Sequence, residues 1–405
     1  MLFLGVALLV RVLTDNLSSP DSRQSGSLNL SGAIAALLIL VSVGLLVRRS
    51  RGLLPTALSV LWLCVWTAIA VGTRGASAET LREGVREGSV VALAVIVYNA
   101  REAVTVPVAT RLVQLMGFAP ALIALVQLAT HTGVNIAGQL RSNGTFAHPN
   151  SAAMFFAIAA TVSLWQYLDR GRRRADALLT TLFAAALIAT FSIDGVITLL
   201  AMLATYGALR PGPASIKRTP FVLAAIVVVA FFATPLGAHR IAQESATNVA
   251  TVEEGNADTT LAWRLHKWKT LLPEWEGSPL FGRGLGITLT AKGAPGDKYT
   301  SRPPHNEYVR YVVETGIVGV VLLLWGLWAL VGNLLRRRRV LVTLGAGTLN
   351  APTLAIVVIA GCLVNALADN TLIDSPTCYA AALIVTAVLN LPRIDPGRVP
   401  SPLAA

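Results

Sequence analysis

The apolar positions of this chain fall into long blocks separated by short polar breaks, and the blocks set its architecture. Apolar runs occupy residues 1–13, 30–47, 53–71, 89–99, 111–130, 151–168, 175–192, 195–209, 220–238, 306–335, 350–368 and 377–391. A membrane-crossing helix needs about 20 apolar residues, and most of these blocks approach that length. Hydropathy thus predicts an all-α, polytopic membrane bundle of about 12 transmembrane helices. The run 89–99 is the weakest, and 1–13 is short for a span. That first run lacks a basic leading region and a small-residue cleavage site. It is expected to be a short or tilted first helix, unless the true start lies upstream.

The polar breaks supply an orientation. Arg48-Arg49-Ser50-Arg51, Arg170-Gly171-Arg172-Arg173-Arg174, Lys217-Arg218 and Arg336-Arg337-Arg338-Arg339 all fall on one side if both termini are cytoplasmic. This agrees with the excess of Lys and Arg in cytoplasmic loops. The exception is an outer loop at 73–88, where Glu79, Glu83 and Glu87 offset Arg74, Arg82 and Arg86. Three regions follow: transmembrane helices over 1–237, an extracytoplasmic loop with short amphipathic helices over 238–304, and transmembrane helices with a cytoplasmic tail over 305–405. Asp15, Asp21, His148, Asn150, Asp194, His305, Asp369 and Asp374 then all face outward.

Composition agrees with a membrane protein. The chain has 405 residues, of which 54% are hydrophobic and only 13% charged, with a mean hydropathy of +0.64. A soluble protein carries about 25% charged residues. The net charge of +12 invites a nucleic-acid partner, but its Arg clusters sit between apolar runs, so that partner is excluded. Cys64, Cys362 and Cys378 show neither ligand-like nor disulfide-like spacing. The preference for Arg over Lys hints at a high-GC bacterial genome. No internal repeat of the transporter kind and no Walker, Rossmann or kinase motif is present.

Candidate chemistry gathers in the large outer loop and where it ends. Asp258 to Pro273 reads as an amphipathic helix, with Asp258 at its N-cap and Pro273 limiting its end. Leu261, Leu265, Trp268, Leu272 and Trp275 form its apolar stripe, away from Lys267 and Lys269. Such a helix lies in the membrane interface. Arg264, four residues before Trp268, borders the stripe. It is either an arginine reaching for water or a bidentate ligand for a diphosphate. The turn Gly277–Gly286 contains Arg283, a second candidate for a phosphate because glycines let a backbone come close; the alternative is a flexible turn. The loop closes at Arg302-Pro303-Pro304-His305-Asn306-Glu307-Tyr308, where an apolar helix begins. A histidine there is wet, near headgroups and suited to proton transfer near neutral pH; a structural interfacial histidine is the alternative. Glu314 is expected to pair with Arg310, four residues earlier. In the segment Arg141 to Asn150, Asn150 suits an N-cap as well as a substrate contact, and His148 is a further possible contact. Asp194 and Asp369 read first as turn residues and second as substrate contacts, and Arg302 in the polar approach to the helix is a further possible contact.

At these residues the chain resembles the O-antigen ligase/polymerase superfamily of membrane glycosyltransferases. One matching segment is Gly144-Thr145-Phe146-Ala147-His148-Pro149-Asn150. The other runs from Arg264 and Trp268 through Gly282–Gly286 to His305-Asn306, Glu314, Gly316 and Gly319. A departure lies after the seventh predicted span. Family members often carry a Ser-Arg-Gly-like motif there, and this chain reads Phe191-Ser192-Ile193-Asp194-Gly195. The resemblance implies transfer of a glycan from a polyprenyl-diphosphate carrier to an acceptor hydroxyl on a glycan, lipid or protein. The place is the outer face of a bacterial cytoplasmic membrane. His305 would be the base, and Arg264 and Arg283 would hold the donor. Because the donor is already activated, no cofactor and no metal are expected.

Two other classes compete. Metal-dependent lipid-linked mannosyl- or arabinosyltransferases keep a carboxylate in the first outer loop, where Asp15 and Asp21 stand. A transporter or flippase of lipid-linked sugars wants ionisable groups inside its spans and repeated halves. Within the family, polymerisation, ligation to a lipid and protein O-glycosylation share the same residues.

Overall fold

A computed structural model of the chain describes residues 2–18, 30–49, 53–75, 77–136, 139–171, 173–210, 214–233, 242, 261–290, 303–343 and 350–391. Asp21, Asp258 and Arg302 lie outside the described residues. Of the described residues, 81% are helical.

Helices α1 (Leu2–Leu13), α2 (Leu30–Arg49), α3 (Leu53–Arg74), α4 (Ala78–Asn99) and α5 (Val106–Ala129) come first. A hairpin of β1 (Val134–Ile136) and β2 (Gln139–Arg141) follows, then α6 (Pro149–Asp169), α7 (Arg174–Ala189), α8 (Ile193–Leu209) and α9 (Ala214–Phe232). The stretch before the next long helix supplies α10 (Leu261–Glu276) and the single turn α11 (Ile287–Thr290). The chain ends with α12 (Glu307–Thr343), α13 (Ala351–Asn365) and α14 (Ser375–Leu389). Each of the twelve apolar runs coincides with one of these helices. Among the described residues, four helices are long and apolar enough to cross a membrane: those at Leu30–Arg48, Val106–Ala129, Pro149–Asp169 and Glu307–Val342. A count of about 12 spans therefore rests on hydropathy, because several of the other helices are short.

Helix α6 is the hub. It packs against α5, α7, α8, α13 and α14, and the run from Ala152 to Trp165 is buried on every face. An all-round apolar helix stabilises itself only in such a central position. Helix α12 is the opposite case. From Val321 to Trp325, and again at Trp328, its apolar side chains are exposed, as suits a helix at the rim of a bundle facing lipid.

Arginines from the basic clusters and Arg210 close helix C-termini. Arg337 Nη1 donates to Leu389 O at 2.9 Å and Leu391 O at 3.0 Å at the end of α14, and Arg338 to Leu209 O at the end of α8. Arg210 bonds Leu168 O and pairs with Asp169 at 2.7 Å. Last-turn carbonyls lack intrahelical donors and carry negative partial charge, so cations belong there.

Two expected loops are ordered instead. The outer loop at 73–88 is mostly the first turns of α4, which Ser77 caps by accepting from Thr80 N at 3.2 Å. Asp15, placed by sequence in the first outer loop, is buried. It takes Arg11 at 2.5 Å and the Ala147 N–H at 2.9 Å, tying the end of α1 to the segment before α6. A buried carboxylate needs such partners.

Candidate active site

His305 sits where α12 begins, with φ at +50°, in the left-handed region. A non-glycine residue holds that conformation only if its surroundings fix it. The turn Asp369–Asn370, between α13 and α14, does so from two directions. Asn370 Oδ1 accepts the His305 backbone N–H at 2.9 Å, and Asp369 Oδ1 lies 2.8 Å from His305 Nδ1. Burial alone would raise the Asp369 carboxyl. The hydrogen bond from His305, with the charges of His305, His148 and Arg264, outweighs it and holds Asp369 below the ordinary carboxylate range. An ionised Asp369 fixes the His305 proton on Nδ1 and leaves the Nε2 lone pair as the acceptor. Trp263 meets the His305 ring edge-on at 5.8 Å. Trp268 Nε1 bonds Pro304 O at 2.8 Å, which secures the approach to His305 against α10.

Helix α10 does not end at Pro273; it continues to Glu276 with the proline inside. Proline removes one N–H, yet its carbonyl still accepts, here from Gly277 N at 3.3 Å. The stripe residues Leu261, Leu265 and Leu272 are exposed, while Trp263, Arg264, Lys267 and Leu271 are buried. The flank with Arg264 and Lys267 thus turns into the protein and the leucines of the stripe turn outward, an arrangement that suits a helix lying in a lipid interface.

Arg264 forks onto Asp194 in the first turn of α8, with Nη2 to Oδ2 at 2.9 Å and Nη1 to Oδ1 at 3.5 Å. Asp194 Oδ2 also lies 3.4 Å from Asn150 Nδ2. Asn150 Oδ1 in turn accepts from Arg141 Nη2 at 2.7 Å and Ser192 Oγ at 3.1 Å. Asn150 is not the cap of α6. His148 is, because its Nδ1 accepts the Asn150 N–H at 3.2 Å. Proline at the first helical position leaves Asn150 in the second, its side chain free to bridge. Burial first, then the Arg141 charge, pushes the His148 imidazole down to about 3. Its ring centre lies 6.3 Å from that of His305. One network thus joins Arg141, Asn150, Asp194, Arg264 and His148, with His148 beside the His305–Asp369 pair.

Arg283 has different surroundings. Its Nε bonds Glu274 O at 3.0 Å, and its side chain is 36% exposed. The glycine turn around it docks on α12 at Gly316, where the helix breaks with φ at +63° and ψ at −170°. Arg283 N and Gly284 N bond Val313 O and Glu314 O, while Ile317 N and Val318 N bond Pro279 O and Leu280 O. A Cβ on Gly282 or Gly316 would strike the opposite backbone. These glycines serve a close backbone contact.

Below this turn Arg310, fully buried, meets Glu83 at 3.1 Å, Glu87 at 2.7 Å, Glu307 at 3.0 Å and Glu314 at 3.2 Å. The Arg310–Glu314 pair is the one its spacing predicts. The two carboxylates from α4 were not foreseen, nor were Asn370 and Arg141 as partners of site residues. The network fastens the start of α12 to α4. Glu307 Oε1 also takes the Leu372 N–H at 2.9 Å, steadying the turn that holds His305. Among the described residues, no group of His, Cys, Asp and Glu is placed to hold a metal ion.

Residues 177–324 match the family described as O-antigen ligase. The matched stretch contains Asp194, Arg264, Arg283 and His305; His148, Asn150 and Asp369 stand outside it. No curated protein matches the chain.

Proposed function

We propose that this chain, which is similar to the O-antigen ligase family over residues 177–324, moves a glycan from a polyprenyl-diphosphate carrier to an acceptor hydroxyl. The family makes it a membrane protein of the glycan ligase or polymerase kind. The donor, the base and the outward-facing site at a bacterial cytoplasmic membrane are our reading. The observation that carries it is the His305–Asp369 pair at 2.8 Å, held where a bundle helix begins and adjoined by a network that contains Arg264.

His305 Nε2 takes the acceptor's proton as its oxygen forms a bond to the anomeric carbon. The bond from that carbon to the carrier's diphosphate breaks, and the electron pair leaves with the diphosphate. Asp369 stabilises the imidazolium so formed. General-base catalysis of this kind contributes about 10²–10⁴ in rate. Arg264 now grips Asp194 with two N–H groups, and a phosphate offers the same bidentate oxygen pair. Exchange of Asp194 for the donor's phosphate places the guanidinium on the leaving group, where charge develops. Arg283 is the second cation for the diphosphate. The exposed leucines of α10 keep this helix at the level of the headgroups, where the carrier presents its diphosphate.

The test is reconstitution in liposomes with a polyprenyl-diphosphate glycan and a panel of glycan, lipid and protein acceptors. The proposal expects acceptor-dependent glycan transfer and release of the carrier diphosphate. Movement of the intact donor across the bilayer without release would mark a flippase and overturn it.

A further inference from the structure

His148 stands beside these groups without a part in the transfer just described. Its Nδ1 accepts the Asn150 N–H at 3.2 Å, so a neutral ring carries its proton on Nε2. Groups facing it include His305, Asp369, Arg141 and Arg264. Three of these are or become cationic, and a cationic field disfavours a protonated His148 while attracting an anion. Its position is fixed twice: it caps α6, and the preceding Ala147 N–H is held by Asp15 at 2.9 Å. A rigid neutral N–H donor results, partly open to solvent, beside the proposed base and linked through Asn150 and Asp194 to Arg264.

We propose that His148 is a catalytic hydrogen-bond donor, its Nε2–H contacting a phosphate oxygen of the departing diphosphate while His305 receives the acceptor's proton. This rests on the glycan-transfer reading above. His148 keeps its proton throughout. The acceptor oxygen bonds the anomeric carbon, that carbon's bond to the diphosphate oxygen breaks with its electron pair, and the one proton transferred ends on His305 Nε2. A fixed donor aimed at developing charge acts mainly on the transition state, so it lowers the barrier more than it tightens donor binding.

Two substitutions separate this role from simple capping. His148→Asn keeps an acceptor near Nδ1, and asparagine caps helices well, but it has no donor at the Nε2 position. His148→Gln reaches that position with its amide NH2 and weakens the cap. In the reconstituted assay we expect His148→Asn to lose about 100-fold in kcat with little change in donor KM, and His148→Gln to stay within about 10-fold of the parent. A residue that only caps gives the reverse order, which would overturn the proposal. If His148→Asn fails to insert, His148→Gln decides alone: near-parental kcat supports the donor role, and a large loss contradicts it. His305→Ala, run in parallel, separates the two claims. If the parent itself transfers no glycan, the functional reading fails; if the parent works, His305→Ala does not and His148→Asn runs at full rate, only the present inference fails.

Discussion

Replacing Asp369 by asparagine changes almost no volume and isolates one interaction. In the folded protein its carboxylate sits 2.8 Å from His305 Nδ1, with side-chain exposures of 13% and 10% for the two partners. A hydrogen bond to a charged group contributes about 1.5–3 kcal/mol. At about 1.4 kcal/mol per tenfold, its loss from the transition state alone slows transfer by about 10- to 100-fold. A second effect adds to this. The new amide can turn its NH2 toward Nδ1, which moves the imidazole proton to Nε2 and removes the lone pair that accepts the substrate's proton. The ceiling is then the full base contribution, about 10⁴. The Asn370 bond to the His305 backbone remains, so the turn keeps its shape. We therefore expect Asp369→Asn to lose about 10²–10³ in kcat while donor KM stays within about threefold. Single-turnover transfer in liposomes, with donor binding measured separately, distinguishes the two parameters. Parental kcat in Asp369→Asn would refute the assignment of His305 tautomer and of Asp369 as its positioning partner.

Two further outcomes follow from the same geometry. Arg264→Lys keeps the charge but loses the fork that now spans both oxygens of Asp194; transfer should fall at least about tenfold, and near-normal turnover would reduce Arg264 to an anchor for α10. Membrane-impermeant cysteine labelling from outside should modify a probe placed at an exposed position of α10 and spare one beside Arg337, whose bonds close the far end of α14. The opposite pattern would invert the orientation and remove the outward-facing site.

What the sequence makes legible follows from how local each signal is. Every apolar run became a helix, because burial in lipid or core needs only composition and length. The Arg310–Glu314 pair was legible because spacing of four on one helix sets a distance. Asp194 and Asp369 read as turn residues, since nothing nearby in sequence needs a carboxylate. Their partners Arg264 and His305 are 70 and 64 residues away. Asn150 looked like a cap because its residue type favours that place, yet the proline before it shifts the cap to His148. The stripe on α10 was visible as periodicity, and the burial of Arg264 and Lys267 on the flank beside it was not. Periodicity reports that two faces differ; only tertiary packing says which one meets the protein. The glycines around Arg283 were visible as a turn, and the close contact with the backbone of α12 that their positive φ values at Gly282 and Gly316 serve was not.

The central claim is that His305 accepts the acceptor's proton, and His305→Ala in liposomes tests it most directly. The variant should insert and bind the polyprenyl-diphosphate glycan with parental affinity, because donor binding is assigned to the arginines. In a single turnover it should transfer glycan at least about 100-fold more slowly than the parent. Transfer by His305→Ala at the parental rate, with donor bound, would contradict the account.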